Sequence, residues 1–283
     1  MSNIYLPTIF SPITARFEDP MGLLRPLWRD YSIYQGFVNH EVAAAEGVLG
    51  MVARATISWG YQDAQFKNNY IGAGLVGMYR SSYHVIYPGQ PVMRQLDNWY
   101  GVHPEIDIIP RVLDLELEHD QTPTRIADVT WHMSEIILAR DGQRPIIYSR
   151  YLLLDKWLKS WTDMMLNSHY WWLAQYLWDR TREHPGPPTL PNRITEDRII
   201  LHQTADKKPP YKGEVQSRTV DWDRWEIGGE LNMNQWIENH WGGQVTPPKP
   251  RIDWYTDIDA LARSQGIDPE PLPPPAHTHA PAE

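Results

Sequence analysis

The sequence predicts an α/β protein: a single irregular TIM-like β/α barrel over 27–243, preceded by an N-terminal extension over 1–26 and followed by a proline-rich linker and tail over 244–283. Three observations lead there. Short apolar runs alternate with helix-length segments from Leu27 to Trp222, the pattern of a parallel sheet with crossover helices. The run holds about eight strands, the number that closes such a sheet into a barrel. Finally, Asp30, Asp114, Glu116 and Asp221 all end or closely follow predicted strands, and barrels of this kind carry their chemistry at the C-terminal strand ends.

The elements follow in order. Prolines 7, 12, 20 and 26 break any period in the first residues. Leu27 to Asp30 reads as the first strand, and Val42 to Ala45 as helix. Next come a strand at Met51 to Ala55, a helix at Gln65 to Ala73, a strand at Val76 to Tyr83 and a helix at Pro91 to Tyr100.

Val112-Leu113-Asp114-Leu115-Glu116-Leu117-Glu118 then alternates leucine with carboxylate, the period of a strand whose two faces meet different surroundings. Residues two apart rise by roughly 6.6 Å, so Asp114 and Glu116 can address one substrate bond. Crowded carboxylates resist joint ionisation, and one of the set is expected to keep its proton as a general acid.

Thr122-Pro123 reads as an N-cap with proline at the first helical position; Ile126, Val129, Met133, Ile136 and Ile137 keep helical spacing up to the stop at Gly142. Pro145 to Ser149, Trp171 to Tyr176, Arg198 to Gln203 and Val220 to Trp222 complete the strands, with a helix at Leu152 to Lys159. Beyond Glu230 the pattern decays into Thr246-Pro247-Pro248-Lys249-Pro250, a short helix over Asp257 to Gln265 and a polar tail.

Composition narrows the function. With 14 Trp and 15 Tyr against 4 Phe, the aromatic content favours rings that carry a polar handle, which suits surfaces meeting polar ligands such as sugars. A net charge of -9 argues against a nucleic-acid partner, and zero cysteines exclude disulfides and thiolate chemistry. No apolar run is long enough to insert in a membrane, and the N-terminus lacks the basic start and apolar core of a signal peptide. Gly72-Ala73-Gly74-Leu75-Val76-Gly77 spells a dinucleotide fingerprint, but it ends a predicted helix instead of opening one. His277-Thr278-His279 lies in the tail without a second shell, so neither cofactor nor metal is expected.

An ordered set of segments resembles the family 25 glycoside hydrolases: Asp30 to Gly36, Arg54-Ala55-Thr56 with Asp63 and Phe66 to Asn69, Ala73 to Gly77 leading to Tyr83-His84, Leu113 to Glu116, Pro145 to Tyr148, Trp172 to Tyr176 and Val220-Asp221. The resemblance implies a lysozyme cutting the β-1,4 bond between N-acetylmuramic acid and N-acetylglucosamine in peptidoglycan glycan strands; a monomer is expected. Glu116 would be the general acid and base. Asp114 would steady the substrate's own acetamido group as it attacks the anomeric carbon with net retention, and Asp30 and Asp221 would complete the acidic cluster. Tyr83, His84, Tyr148, Trp172, Gln203 and Gln35 would bind substrate. The expected setting is a chain made in the cytoplasm that acts on the bacterial cell wall, as a phage-encoded or virion-associated lysin.

The chain departs from the family at three places. Ile57-Ser58 replaces Glu-Gly, His202-Gln203 replaces Trp-Gln, and Glu118 adds a third carboxylate, either in solvent past the strand end or beside Glu116. Two alternatives stay open: a catalytically weak wall-binding or virion module on the same barrel, and a glycosidase acting on chitin.

Overall fold

The computed structural model describes residues 25–242 apart from 106 and 228. The extension before residue 25, the tail beyond 242 with its expected short helix, and the His277-Thr278-His279 segment lie outside the described residues.

Eight strands close into a barrel: β1 (Leu27–Tyr31), β2 (Val48–Ile57), β4 (Tyr79–Val85), β5 (Val112–Asp114), β6 (Ile146–Arg150), β7 (Trp171–Ala174), β8 (Ile199–Lys208) and β9 (Val220–Trp225), with β9 returning to β1. A short β3 (Tyr61–Gln62) folds back on the end of β2 as a hairpin. Six helices cover the outside: α1 (His40–Ala45), α2 (Phe66–Leu75), α3 (Val92–Val102), α4 (Pro123–Asp141), α5 (Tyr151–Trp157) and α6 (Asp163–Asn167).

The expectation of a parallel sheet holds for the closure from β1 through β8 and fails at β9, which runs antiparallel to both β8 and β1. The connections explain the change. Prolines 185, 187, 188 and 191 leave only a 3-10 turn between β7 and β8, and no helix joins β8 to β9. The long stretch over 175–198 still carries the chain back so that β8 runs parallel to β7, whereas the stretch over 209–219 is too short for such a crossover, so β8 and β9 pair as a hairpin.

The helix with the clearest sequence signals forms as they imply. Thr122 Oγ1 accepts from Arg125 N at 3.2 Å, Pro123 occupies the first turn, and Gly142 ends α4 in the left-handed region at φ 79°. The glycine-rich segment has a packing role: a Cβ on Gly72 would lie 2.4 Å from the His40 ring, and one on Gly74 would lie 2.1 Å from the Arg80 guanidinium. The following strand starts later than expected, because Gly77 turns the chain at φ 79° before β4 begins at Tyr79.

Two apolar layers hold the barrel. One lies between sheet and helices and includes Leu113, Leu115, Ile147, Leu173, Met133 and Trp99. The other fills the lumen with Trp28, Val52, Val112, Ile146, Trp172, Leu201 and Trp225. Met233 and Ile237 of α7 (Gly229–Ile237), with Trp241 beyond it, close the end of the lumen where β9 finishes. Trp28 Nε1 lies 3.4 Å from Met233 Sδ there. The lumen is therefore packed at one end, and the polar cavity is at the other. Among the described residues no helix is long and apolar enough to cross a membrane.

Candidate active site

Strand alternation sets which side chains enter the lumen. In β5 and its continuation Leu113 and Leu115 face the helices, so Asp114 and Glu116 face inward. The strand is shorter than the alternation suggested. It ends at Asp114, although Leu115 N still donates to Tyr148 O at 2.8 Å. The chain then leaves the sheet, and His119 and Asp120 turn it at φ 44° and 57°. Glu118 is carried into solvent, where Lys156 Nζ lies 2.9 Å from its Oε2, and it does not line the cavity.

In register with Asp114 on β6 is Tyr148, and in register with Tyr148 on β7 is Trp172. The three form one lateral row across the inner wall. Above and beside it a cavity of about 200 Å³ is lined by Asp30, Tyr83, Asp114, Glu116, Tyr148, Arg150, Trp172, Tyr176, Gln203, Asp206 and Asp221. Asp30 comes from the end of β1. Asp221 comes from the beginning of β9, and only the antiparallel course of that strand brings it to the same mouth. The expectation that Asp221 follows a strand running toward the mouth is thus corrected.

Gln203 organises the floor. Its Nε2 donates to Asp30 Oδ2 at 2.6 Å, and its Oε1 accepts from Tyr148 OH at 2.7 Å and from Tyr176 OH. The Asp30 and Asp221 carboxyls also lie close to one another, so that a proton shared between them satisfies both. Burial, the largest influence, pushes the Asp30 carboxyl up to about 6, while the bonds from Asp221 and Gln203 oppose the rise. Asp114 is held well above the ordinary carboxylate range, first by burial and then by the negative charges of Glu116 and Asp30. Asp221 is raised likewise, by burial and by Asp30 and Asp223. Asp114 Oδ1 is buried and accepts no hydrogen bond among the described residues. An orphaned acceptor on a strand end facing a cavity is poised for a donor on a ligand.

Two expected substrate contacts lie elsewhere. His84 is fully buried on the helix side of β4, with Nδ1 2.7 Å from Thr56 Oγ1, Nε2 3.3 Å from Gln95 Oε1 and its ring stacked on Trp99. Its neighbour Tyr83 takes the inward position because successive strand residues alternate. Gln35 turns back on its own loop: its Oε1 accepts from Ser32 N at 2.8 Å and so caps a 3-10 turn after β1. His202, at the departure from the family's Trp, also faces outward, with Nε2 2.9 Å from Gln175 O and Nδ1 3.6 Å from Glu226. Ile57 and Ser58 lie at the end of β2 and do not line the cavity.

Tyr176, Arg150 and Asp206 in the cavity wall, and Arg54 and Asp223 beside it, are not among the site residues expected from the sequence. Period two would have found two of them, since Tyr176 continues Trp172 and Ala174 while Arg150 continues Ile146 and Tyr148. Asp223 is buried behind Trp172, whose Nε1 donates to its Oδ1 at 2.9 Å. Arg54 puts a positive charge near Asp30 and Asp114, and Asp63 fixes it through a 2.8 Å bond to Nε. The guanidinium also sits 4.8 Å from the centre of the exposed Tyr34 ring. Among the described residues no group of three or more His, Asp or Glu side chains is arranged to hold a metal ion.

A closed α/β barrel with buried carboxyls and aromatic rings around one open mouth has the build of a glycoside hydrolase. The chain belongs to glycosyl hydrolases family 25, whose profile matches residues 29–208. The fold is similar to that of the bacterial lysozyme from Streptomyces coelicolor, with 21% identity, 75% of this chain and 97% of that one covered, and a TM-score of 0.64. A family 25 glycosyl hydrolase from Bacillus anthracis matches at 17% identity over 75% of this chain and 93% of that one, with a TM-score of 0.63. The catalytic domain of the endolysin ply40 from bacteriophage P40 of Listeria monocytogenes matches at 18% identity, covering 72% and 94%, with a TM-score of 0.58. A search of curated proteins finds no significant match.

Proposed function

We propose that this chain is a peptidoglycan muramidase acting on the bacterial cell wall, with Glu116 as general acid and base and Asp114 as the partner of the substrate's acetamido group. The observation that carries the reading is the presentation of Asp114 and Glu116 side by side from one strand end into an aromatic-walled cavity, in a chain of this family. Glu116 follows the last residue of β5 by two and lies at the open side, where a glycosidic oxygen can receive its proton.

Asp114 sits deeper, and its unbonded Oδ1 accepts the acetamido N–H. Burial and neighbouring negative charge give that carboxyl a high proton affinity, so it holds a developing positive charge on the acetamido nitrogen strongly. The acetamido oxygen then attacks the anomeric carbon as the leaving sugar takes the Glu116 proton. Water, activated by the Glu116 carboxylate, then attacks the anomeric carbon from the face the leaving sugar vacated, displacing the acetamido oxygen, and the two inversions give net retention. Asp30 and Asp221, sharing a proton and anchored by Gln203, hold the floor of the subsite.

Reducing-end release from purified peptidoglycan tests this, with wild type beside Glu116→Gln. Muramic acid at the new reducing end and a loss of at least about a hundredfold in Glu116→Gln are expected. A folded wild type that releases nothing but sediments with cell walls would instead be a binding module, and N-acetylglucosamine at the new end would exclude a muramidase.

A further inference from the structure

The cavity wall contains five carboxyl groups and one cation, Arg150. It is the third inward residue of β6 after Ile146 and Tyr148, and it is exposed at the mouth. Two residues beyond the Asp114–Tyr148 pair, Glu116 follows the end of β5 and Arg150 ends β6, and both line the cavity. Across β7 the same row leads from Ala174, the partner of Arg150, to Tyr176.

The other cations around the mouth are committed. Arg54 is tied to Asp63 at 2.8 Å, Arg180 is bonded through Nε to Asp206 at 2.6 Å, and Lys156 pairs with Glu118 at 2.9 Å. The Arg150 guanidinium makes no hydrogen bond, ion pair or ring contact among the described residues. It is a five-donor fork facing the cleft beside the proposed acid, and its geometry matches a carboxylate.

We infer that Arg150 is a specificity-determining residue that binds a carboxylate carried by the glycan next to the bond that is cut. This rests on the muramidase reading and deepens it. Muramic acid differs from N-acetylglucosamine by a lactyl ether whose carboxyl is an amide where a stem peptide is attached and a free carboxylate where it is not, so a cation at this place favours strands freed of their peptides over peptide-bearing strands and over plain N-acetylglucosamine. A neutral amino-sugar polymer offers the guanidinium nothing to pair with.

The test uses glycan strands stripped of their peptides, so that each lactyl group ends in a free carboxylate, beside the same strands after carbodiimide coupling with ammonia has converted those groups to amides. Wild type is expected to lose at least about tenfold in kcat/KM on the amidated strands, mainly through KM, the size expected for one charge-assisted hydrogen bond. Arg150→Gln is expected to be slow on both and to discriminate less than about twofold, while Arg150→Lys keeps the charge without the fork and falls between. If Arg150→Gln discriminates as wild type does, or wild type is indifferent to amidation while cleaving both strands, the inference is overturned and the muramidase reading survives. Release from neither strand by folded wild type overturns both. If Arg150 only adjusted the acidic cluster, its replacement would shift the pH profile equally on the two strands and leave the preference intact.

Discussion

Gln203 reaches across the barrel mouth to Asp30, Nε2 to Oδ2 at 2.6 Å, while its Oε1 carries the Tyr148 and Tyr176 hydroxyls. One amide thus fixes two aromatic walls and one acidic group, and an amide is needed because it donates at one end and accepts at the other. Gln203→Leu leaves two hydroxyls without their acceptor and Asp30 without a donor. Each orphaned group costs about 1–3 kcal/mol, so the melting temperature is expected to fall clearly. Reducing-end release should drop about ten- to a hundredfold, and an unchanged rate would show that this network does not position the subsite.

Asp30 predicts a specific dependence of stability on pH. Its carboxyl is raised to about 6 in the fold against an ordinary value of 3.8, so between those values the folded chain holds a proton that the unfolded chain has lost. Stability contributed at this site therefore falls as pH rises from about 4 to 6, and the penalty is complete above it. Asp30→Asn removes the penalty and keeps an oxygen for the Gln203 donor. It is expected to stabilise the protein by roughly 1–3 kcal/mol at pH 7, with a gain that shrinks toward zero below pH 4, and to impair hydrolysis. Melting curves of both proteins across that range check the sign.

Glu118 bonds Lys156 in solvent and does not face the cleft. Glu118→Gln should therefore leave peptidoglycan hydrolysis within about twofold of wild type, since exposed pairs contribute little. A loss comparable to that of Glu116→Gln would mean that the loop after β5 folds over the substrate and that Glu118 takes part in the chemistry.

Ser58 occupies the left-handed region at φ 52°, at the position where the family carries glycine. Its N–H is held by Val85 O at 3.1 Å and its carbonyl by Asn98 Nδ2 at 3.1 Å, so the conformation is fixed from both sides. Left-handed backbone costs an L-residue roughly 1–2 kcal/mol, against about 0.5–1 kcal/mol for the extra chain entropy of glycine. Ser58→Gly is expected to be neutral or stabilising by up to about 1 kcal/mol, and Ser58→Val to be destabilising, because a branched Cβ fits that region worst. Thermal melting separates the two, and a stable Ser58→Val would show that the turn relaxes.

Much of the site was legible because it depends on local periods. Alternation over 112–118 put Asp114 and Glu116 on one face, and the same period, read further, carries Tyr148 to Arg150 and Trp172 to Tyr176. The helix α4 was legible from Thr122, Pro123 and Gly142 because caps are local chemistry. The side of the sheet on which His84 and Tyr83 fall was harder to read. Period two says that neighbours take opposite faces, and only the packing of His84 against Trp99 and Gln95 decides which one.

The sequence by itself determined the α/β class, the strands and helices that form the barrel, and the inward pairing of Asp114 with Glu116, since each follows from residues near one another in the chain. The tertiary structure decided that β9 runs backward, that Asp221 thereby meets Asp30, that Asp223 is buried against Trp172, and that Gln203 joins the groups at the mouth. The farthest of those contacts joins Asp30 to Asp221, near opposite ends of the barrel sequence, and the path between them depends on which connections are long enough to return a strand parallel to its neighbour and which are not.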